Sequence, residues 1–305
     1  MLPRIDTKSA PAIAAIARGT FRRMYPGADS TLIDVLFRDT EAMFKGRYLD
    51  YLTIDMDYHD LEHTLQAALC IIKVLDGRHT AGAAPFLTSR HFELAMAAVL
   101  LHDSGYLKLR SDYEGTGAKY TFVHVLRSCA FAASYLPTVG FRGDEAEAVA
   151  GIIRCTGPRS DITHLHFTSE IEHLLGSALA TADYLGQMAA SDYVDELPIL
   201  FAEFDESEDF LRTPAEKRFF KSVGDLIRKT PGFWEKVVLP KLNIDFQGLY
   251  RFLADPYPDG PNAYILAVEE NIARARALAT APEISLDPFP KKKAKDSRSP
   301  SLPTA

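Results

Sequence analysis

Apolar residues recur three and four positions apart along most of the chain, whereas alternating runs rich in Val, Ile and Thr are nearly absent. That is the helix period, and it predicts an all-α fold. The spacing places helices over 9–24, 30–46, 60–76, 89–102, 120–136, 143–155, 168–189, 192–208, 214–228 and 262–280. Pro26-Gly27, the Gly82–Pro85 segment, Gly157-Pro158 and the run from Pro256 to Pro261 punctuate them, since neither helix nor strand tolerates such residues in its interior.

The pattern divides the chain without a clear interdomain linker. Residues 1–46 read as N-terminal accessory helices, 47–190 as the core that carries the polar motifs, and 191–283 as C-terminal helices packed on that core. From 284 to 305 the composition turns to Pro, Lys and Ser, ending KKKAKDSRSPSLPTA, which predicts a disordered, solvated tail.

Composition narrows the function classes. The chain has 305 residues, 47% of them hydrophobic, enough for a real core. Its net charge is −7 with both signs scattered, so no basic stripe offers a dedicated nucleic-acid groove. Arg18, Arg22 and Arg23 interrupt the apolar N-terminal patch, which reads as a helix and not as a signal. No stretch approaches the roughly 18 uncharged apolar residues of a membrane span. Cys70, Cys129 and Cys155 have no CxxC spacing and cannot all pair, which fits a reducing cytoplasm.

Three segments carry candidate chemistry. In Asp57-Tyr58-His59-Asp60-Leu61-Glu62-His63 two histidines stand four apart at a helix start, on one face, ahead of the apolar run LQAALCIIKVL. MAAVLLHDSGY ends a strongly apolar helix with adjacent His102 and Asp103, then Gly105, a residue suited to a helix C-terminus. An imidazole and a carboxylate there suit a divalent cation, which the helix dipole also favours; a His–Asp hydrogen bond capping the helix satisfies the same pair. In LATADYLGQMAASDY, Asp183 interrupts a small, apolar helix, with Gln187 one turn on; an Arg partner or a metal would balance its charge.

Taken together, the order His63, His102-Asp103, Asp183 resembles the HD-domain metal-dependent phosphohydrolases, including cyclic-nucleotide phosphodiesterases, over roughly residues 55–190. The resemblance implies an HD-type helical bundle with accessory helices at both ends. It implies that His63, His102, Asp103 and Asp183 hold one or two divalent ions, Mn, Mg, Zn or Fe. Tyr58-His59-Asp60-Leu61-Glu62-His63 is similar to the phosphodiesterase signature Tyr-His-Asn-x-x-His, which gives His59 the general-acid role. The implied reaction is hydrolysis of a phosphodiester or nucleotide phosphoester by metal-activated water, on a small phosphorylated substrate such as a nucleotide. Tyr106 stands where mammalian-type phosphodiesterases carry a further histidine, which sets this chain apart from cyclic-nucleotide specificity. A nucleotide phosphomonoesterase, a non-catalytic signalling module and a di-iron oxygenase are the alternatives.

Secondary candidates follow. His124 falls where some binuclear relatives supply another histidine, and Arg127, three residues on, shares its face; they read as second-metal or phosphate-binding residues. Lys108 and Arg110 are candidate attractors of an anion. His164 and His166 are further candidates for a second ion, while Arg154-Cys155-Thr156 lacks the histidines of binuclear relatives. Phe201, Phe204, Phe210 and Trp234 read as core or as the wall of a pocket or homodimer face.

Overall fold

A computed structural model describes residues 6–157 and 160–280. The tail expected at 284–305 lies outside the described residues. The fold is all-α, as its period requires: α1 Ala10–Met24, α2 Thr31–Phe44, α3 Leu61–Thr80, α4 Ser89–Leu101, α5 His124–Tyr135, α6 Gly143–Ile153, α7 Glu170–Met188, α8 Tyr193–Phe210, α9 Val223–Phe233, α10 Leu239–Asn243 and α11 Ala263–Ala279. Among the described residues the only extended pairing is three isolated bridges, such as Tyr51 with Leu109. No helix among them is long and apolar enough to cross a membrane.

Helix α4 is the centre. Every residue from Ala95 to Leu101 is at most 1% exposed, the state of a helix that is apolar all round. Helices α2, α3, α6 and α7 pack around it, and one continuous core runs from Ile13 of α1 to Ala275 of α11. Caps fix where these helices begin: Asp60 accepts from the His63 N–H, Ser169 from the Glu172 N–H and Ser9 from the Ala12 N–H. Cys70, Cys129 and Cys155 are buried and unpaired.

The expected helix over 214–228 is displaced. After α8 the chain makes a short 3-10 turn, Ala215–Lys217, then runs extended until Ser222 caps α9 by accepting from the Asp225 N–H. Arg218 is drawn to Asp205 and Asp209, and Phe219 and Phe220 join Phe204, so the apolar pair that mimicked a helix face serves tertiary packing. Helix α9 then passes through a π-helical turn, Trp234–Val238, into α10, beyond the expected end. Helix α5 also starts later than expected, at His124, behind a 3-10 turn over Gly117–Tyr120.

Two close approaches set the backbone that carries the polar motifs. A Cβ on Gly105 would lie 2.0 Å from the His124 carbonyl oxygen, so its role is to admit α5, and not the left-handed cap its sequence position suggests. A Cβ on Gly186 would meet the backbone of Gln66 and Ala67 at 2.9–3.0 Å, which fixes α7 against the start of α3. Gly186→Ala should therefore force these helices apart, lower stability by roughly 1–3 kcal/mol and weaken divalent-metal retention. Gly19→Ala, on an exposed helix face with nothing within 4 Å, should raise stability by roughly 0.4–1 kcal/mol. Thermal denaturation of the two variants checks the contrast.

Candidate metal centre

Four elements deliver the polar residues to one buried point. Helix α3 brings His63 in its first turn, the C-terminus of α4 brings His102 and then Asp103, α7 brings Asp183, and the start of α5 brings His124. His102 is the residue that caps α4, so the negative end of the central helix dipole faces the cluster. His63, His102, Asp103 and His124 are at most 5% exposed.

The His63 Nε2 lies 3.4 Å from Asp103 Oδ2 and 3.4 Å from Asp183 Oδ1. The His102 Nε2 lies 3.2 Å from Asp103 Oδ2 and 3.7 Å from Asp183 Oδ1. Donors each about 2.1 Å from a shared, tetrahedrally coordinated ion stand about 3.4 Å apart, so these spacings suit a common cation. His102 Nε2 and Asp103 Oδ2 are fully buried and make no hydrogen bond, an expensive state for both unless something lies between them. His63, His102 and Asp103 thus form a buried group able to hold a metal ion, and Asp183 stands at the same point.

The imidazoles are aimed by their other nitrogens. The Val99 carbonyl accepts from His102 Nδ1 at 2.7 Å, and the Thr121 carbonyl from His124 Nδ1 at 2.7 Å, which turns both Nε2 lone pairs inward. His124 Nε2 faces the second oxygen of Asp103, Oδ1, at 3.5 Å. Asp183 is braced by Gln187, which donates to its carbonyl at 3.0 Å and accepts from the Tyr58 hydroxyl at 2.7 Å.

His59 is built differently. Its Nδ1 lies 2.5 Å from Glu203 Oε2, and the other Glu203 oxygen accepts from the Tyr58 N–H at 2.8 Å. Glu203 comes from α8, beyond the 47–190 segment, and is 6% exposed. Burial works against charging His59, but Glu203, then Asp103 and Asp183, outweigh it and raise its pKa. Burial wins for His124, whose pKa is lowered.

No protein-family model and no curated protein matches this chain. The centre therefore stands on its geometry, which also corrects several secondary candidates. Arg127 is no phosphate clamp: its Nε and Nη2 donate to the carbonyls of Gly105 and Leu107 at 2.6 and 2.9 Å, and its guanidinium lies over Tyr120. Carbonyls of buried residues need donors, and the loop after Asp103 takes this one. Lys108 is paired with Asp55, and Arg110 with Asp50. His164 pairs with Asp161 and, like His166, is exposed, so neither joins the cluster. Trp234 is core, Phe204 belongs to an aromatic group with Phe122 and Phe220, and Phe210 is exposed beside Lys119.

Access is narrow. Only Asp183 and His59, with side chains 17% and 14% exposed, open toward solvent. The cleft that reaches His63 past Tyr58, Gln66 and Gln187 has a volume of about 10 Å³, room for one water. The roomier hollow, about 390 Å³, lies between α8 and residues 215–221 and touches none of these groups.

Protons compete with the cation. Burial disfavours a charge on His102, yet Asp103 and Asp183 outweigh it and hold its pKa well above the imidazole range. Burial likewise opposes ionisation of Asp103 and Asp183, and the surrounding imidazoles overcome it, holding both below the carboxylate range. In chelated protein the stabilisation from His102 is present below about pH 6.5 and lost as pH rises through its raised value. A metal ion replaces that proton, so ion binding should tighten with pH. Zn or Mn should raise the melting temperature of chelated protein more at pH 8 than at pH 6, and Asp103→Ala should abolish the rise at both.

Proposed function

We propose that the chain is a metal-dependent phosphohydrolase that cleaves a phosphodiester or nucleotide phosphoester with metal-activated water. The observation that carries the reading is the pairing of two differently prepared groups: a buried donor set at cation spacing, and His59 held by Glu203 beside it. The order His63, His102-Asp103, Asp183 and its resemblance to HD-domain enzymes support the same class. Two imidazoles and two carboxylates suit Zn, Mn or Fe better than Mg, which prefers oxygen donors.

An ion held by His63, His102, Asp103 and Asp183 would supply a water of lowered pKa and polarise a phosphoryl oxygen. The chain's own residues then divide the proton chemistry. His59, its pKa raised against burial by Glu203 on Nδ1, is the group suited to carry a proton to the departing oxygen. His124 stays neutral, its Nε2 lone pair directed to the centre by the Thr121 carbonyl, and is suited to accept a proton. His63, His102, Asp103 and Asp183 hold the ion.

The narrow cleft supports a second reading, a metal-stabilised module that binds without turnover. Assay of bis-p-nitrophenyl phosphate and p-nitrophenyl phosphate with Zn, Mn, Fe and Mg separates them. Diester hydrolysis that vanishes in Asp103→Ala is expected; monoester preference would shift the reading to a nucleotidase. Bound metal without hydrolysis of either ester would leave the binding module.

For the proton assignment, His59→Asn should cut kcat by roughly 100-fold while metal content by mass spectrometry stays unchanged. Glu203→Gln removes the carboxylate that raises the His59 pKa, so the alkaline limb of the kcat profile should move to lower pH. Loss of metal in step with kcat, or an unmoved alkaline limb, would sink the assignment.

A further inference from the structure

We propose that the Tyr106 hydroxyl is a ligand-seating donor, which binds an anionic oxygen of the molecule held at the metal centre. Tyr106 follows Asp103 by three residues, at the end of the 3-10 turn Ser104–Tyr106. Its ring stacks on His124 at 4.5 Å and 10° and on His59 at 4.8 Å and 27°, with Met56 and Ala118 completing the packing. All of those contacts need only a flat ring, and phenylalanine would make them equally well.

The hydroxyl is therefore surplus to packing, and it is also fully buried with no hydrogen-bond partner. Thr121 stands beside it and gives its own hydroxyl to the Ala118 carbonyl at 2.7 Å. Burying a donor without a well-made hydrogen bond carries a cost that the packing of the ring does not require. Burial, followed by the carboxylates of Asp103 and Glu203, holds the phenol protonated, so it remains a donor. Glu203 is committed to Tyr58 and His59, and Asp103 to the imidazoles around it. The acceptor must arrive with the ligand.

Nearby cations do not compete for that role. Lys108, Lys119 and Arg127 are each bound to protein carboxylates or carbonyls. A neutral donor facing an oxyanion in a closed site makes a charge-assisted hydrogen bond, the stronger kind. That the oxyanion is a phosphoryl oxygen rests on the phosphohydrolase reading.

The test compares Tyr106→Phe with Tyr135→Phe, whose lost hydroxyl donates to Asp39 Oδ2 at 2.9 Å in the wild type. In chelated protein, Tyr106→Phe should raise the melting temperature by a few degrees, because an unsatisfied donor is removed, while Tyr135→Phe should lower it. In Zn- or Mn-loaded protein, calorimetric titration with inorganic phosphate should show about ten-fold weaker binding for Tyr106→Phe at unchanged metal stoichiometry, and wild-type affinity for Tyr135→Phe. A melting temperature lowered by Tyr106→Phe, or phosphate bound as tightly as in wild type, overturns the assignment. Wild-type metal-loaded protein that binds no phosphate overturns the phosphate ligand together with the phosphohydrolase reading; wild-type binding marks any other failure as the tyrosine's alone.

Discussion

The carboxylate of Asp103, buried with imidazole nitrogens 3.2–3.5 Å from its two oxygens, is the constraint on which the rest of the structure depends. A carboxylate in an apolar interior is tolerated only with a counter-charge, and no arginine or lysine forms an ion pair with it among the described residues. Asp183 doubles the demand. With the histidines neutral the group carries two negative charges, which one divalent ion cancels and a single proton cancels only in part. The end of the central helix α4 adds the negative pole of its dipole. Close packing at Gly105 and Gly186 makes this charge balance inseparable from folding: the helices cannot relax apart without separating the same donors.

Each histidine is specified by what its second nitrogen meets. A backbone carbonyl on Nδ1 fixes the tautomer of His102 and His124 and leaves Nε2 as a lone pair, the state a cation or a proton in transit requires. A carboxylate on Nδ1 instead stabilises the charged ring of His59. One residue type, here at three of the pocket's four histidines, is thereby prepared in two different ways. Tyr106 stacks on both His59 and His124, whose ring centroids lie 6.5 Å apart.

The helical period was legible because packing an all-α core enforces it, and the four converging residues were legible because each is a polar interruption of an apolar helix. What the sequence concealed was everything that depends on partner identity. Glu203 lies in FAEFDESEDF, where Asp205, Glu206, Glu208 and Asp209 surround it, and net acidity there reads as a solvated face. Its one signal is position: Leu197, Leu200, Glu203 and Ser207 continue a three-and-four progression along one side of α8. Arg127 misled for the converse reason. Its spacing from His124 placed it on the right face, but a guanidinium takes whatever acceptors lie within reach, and two loop carbonyls lay closer than any open site. Helix 214–228 failed because Phe219 and Phe220 satisfy a helical pattern and an aromatic cluster equally.

Helix α8 ties the C-terminal region to the centre more closely than the division at residue 190 suggested. Glu203 holds Tyr58 and His59, Glu206 accepts from the Thr116 N–H and hydroxyl, and Ser207 donates to the Lys119 carbonyl, all from one helix. One wall of the site, residues 58–59, and the segment 112–120, whose Ala118 packs on Tyr106, are therefore braced by the same element. Displacing α8 would take Glu203 from His59 and Tyr58 together, so the state of His59 depends on a helix that lies beyond residue 190.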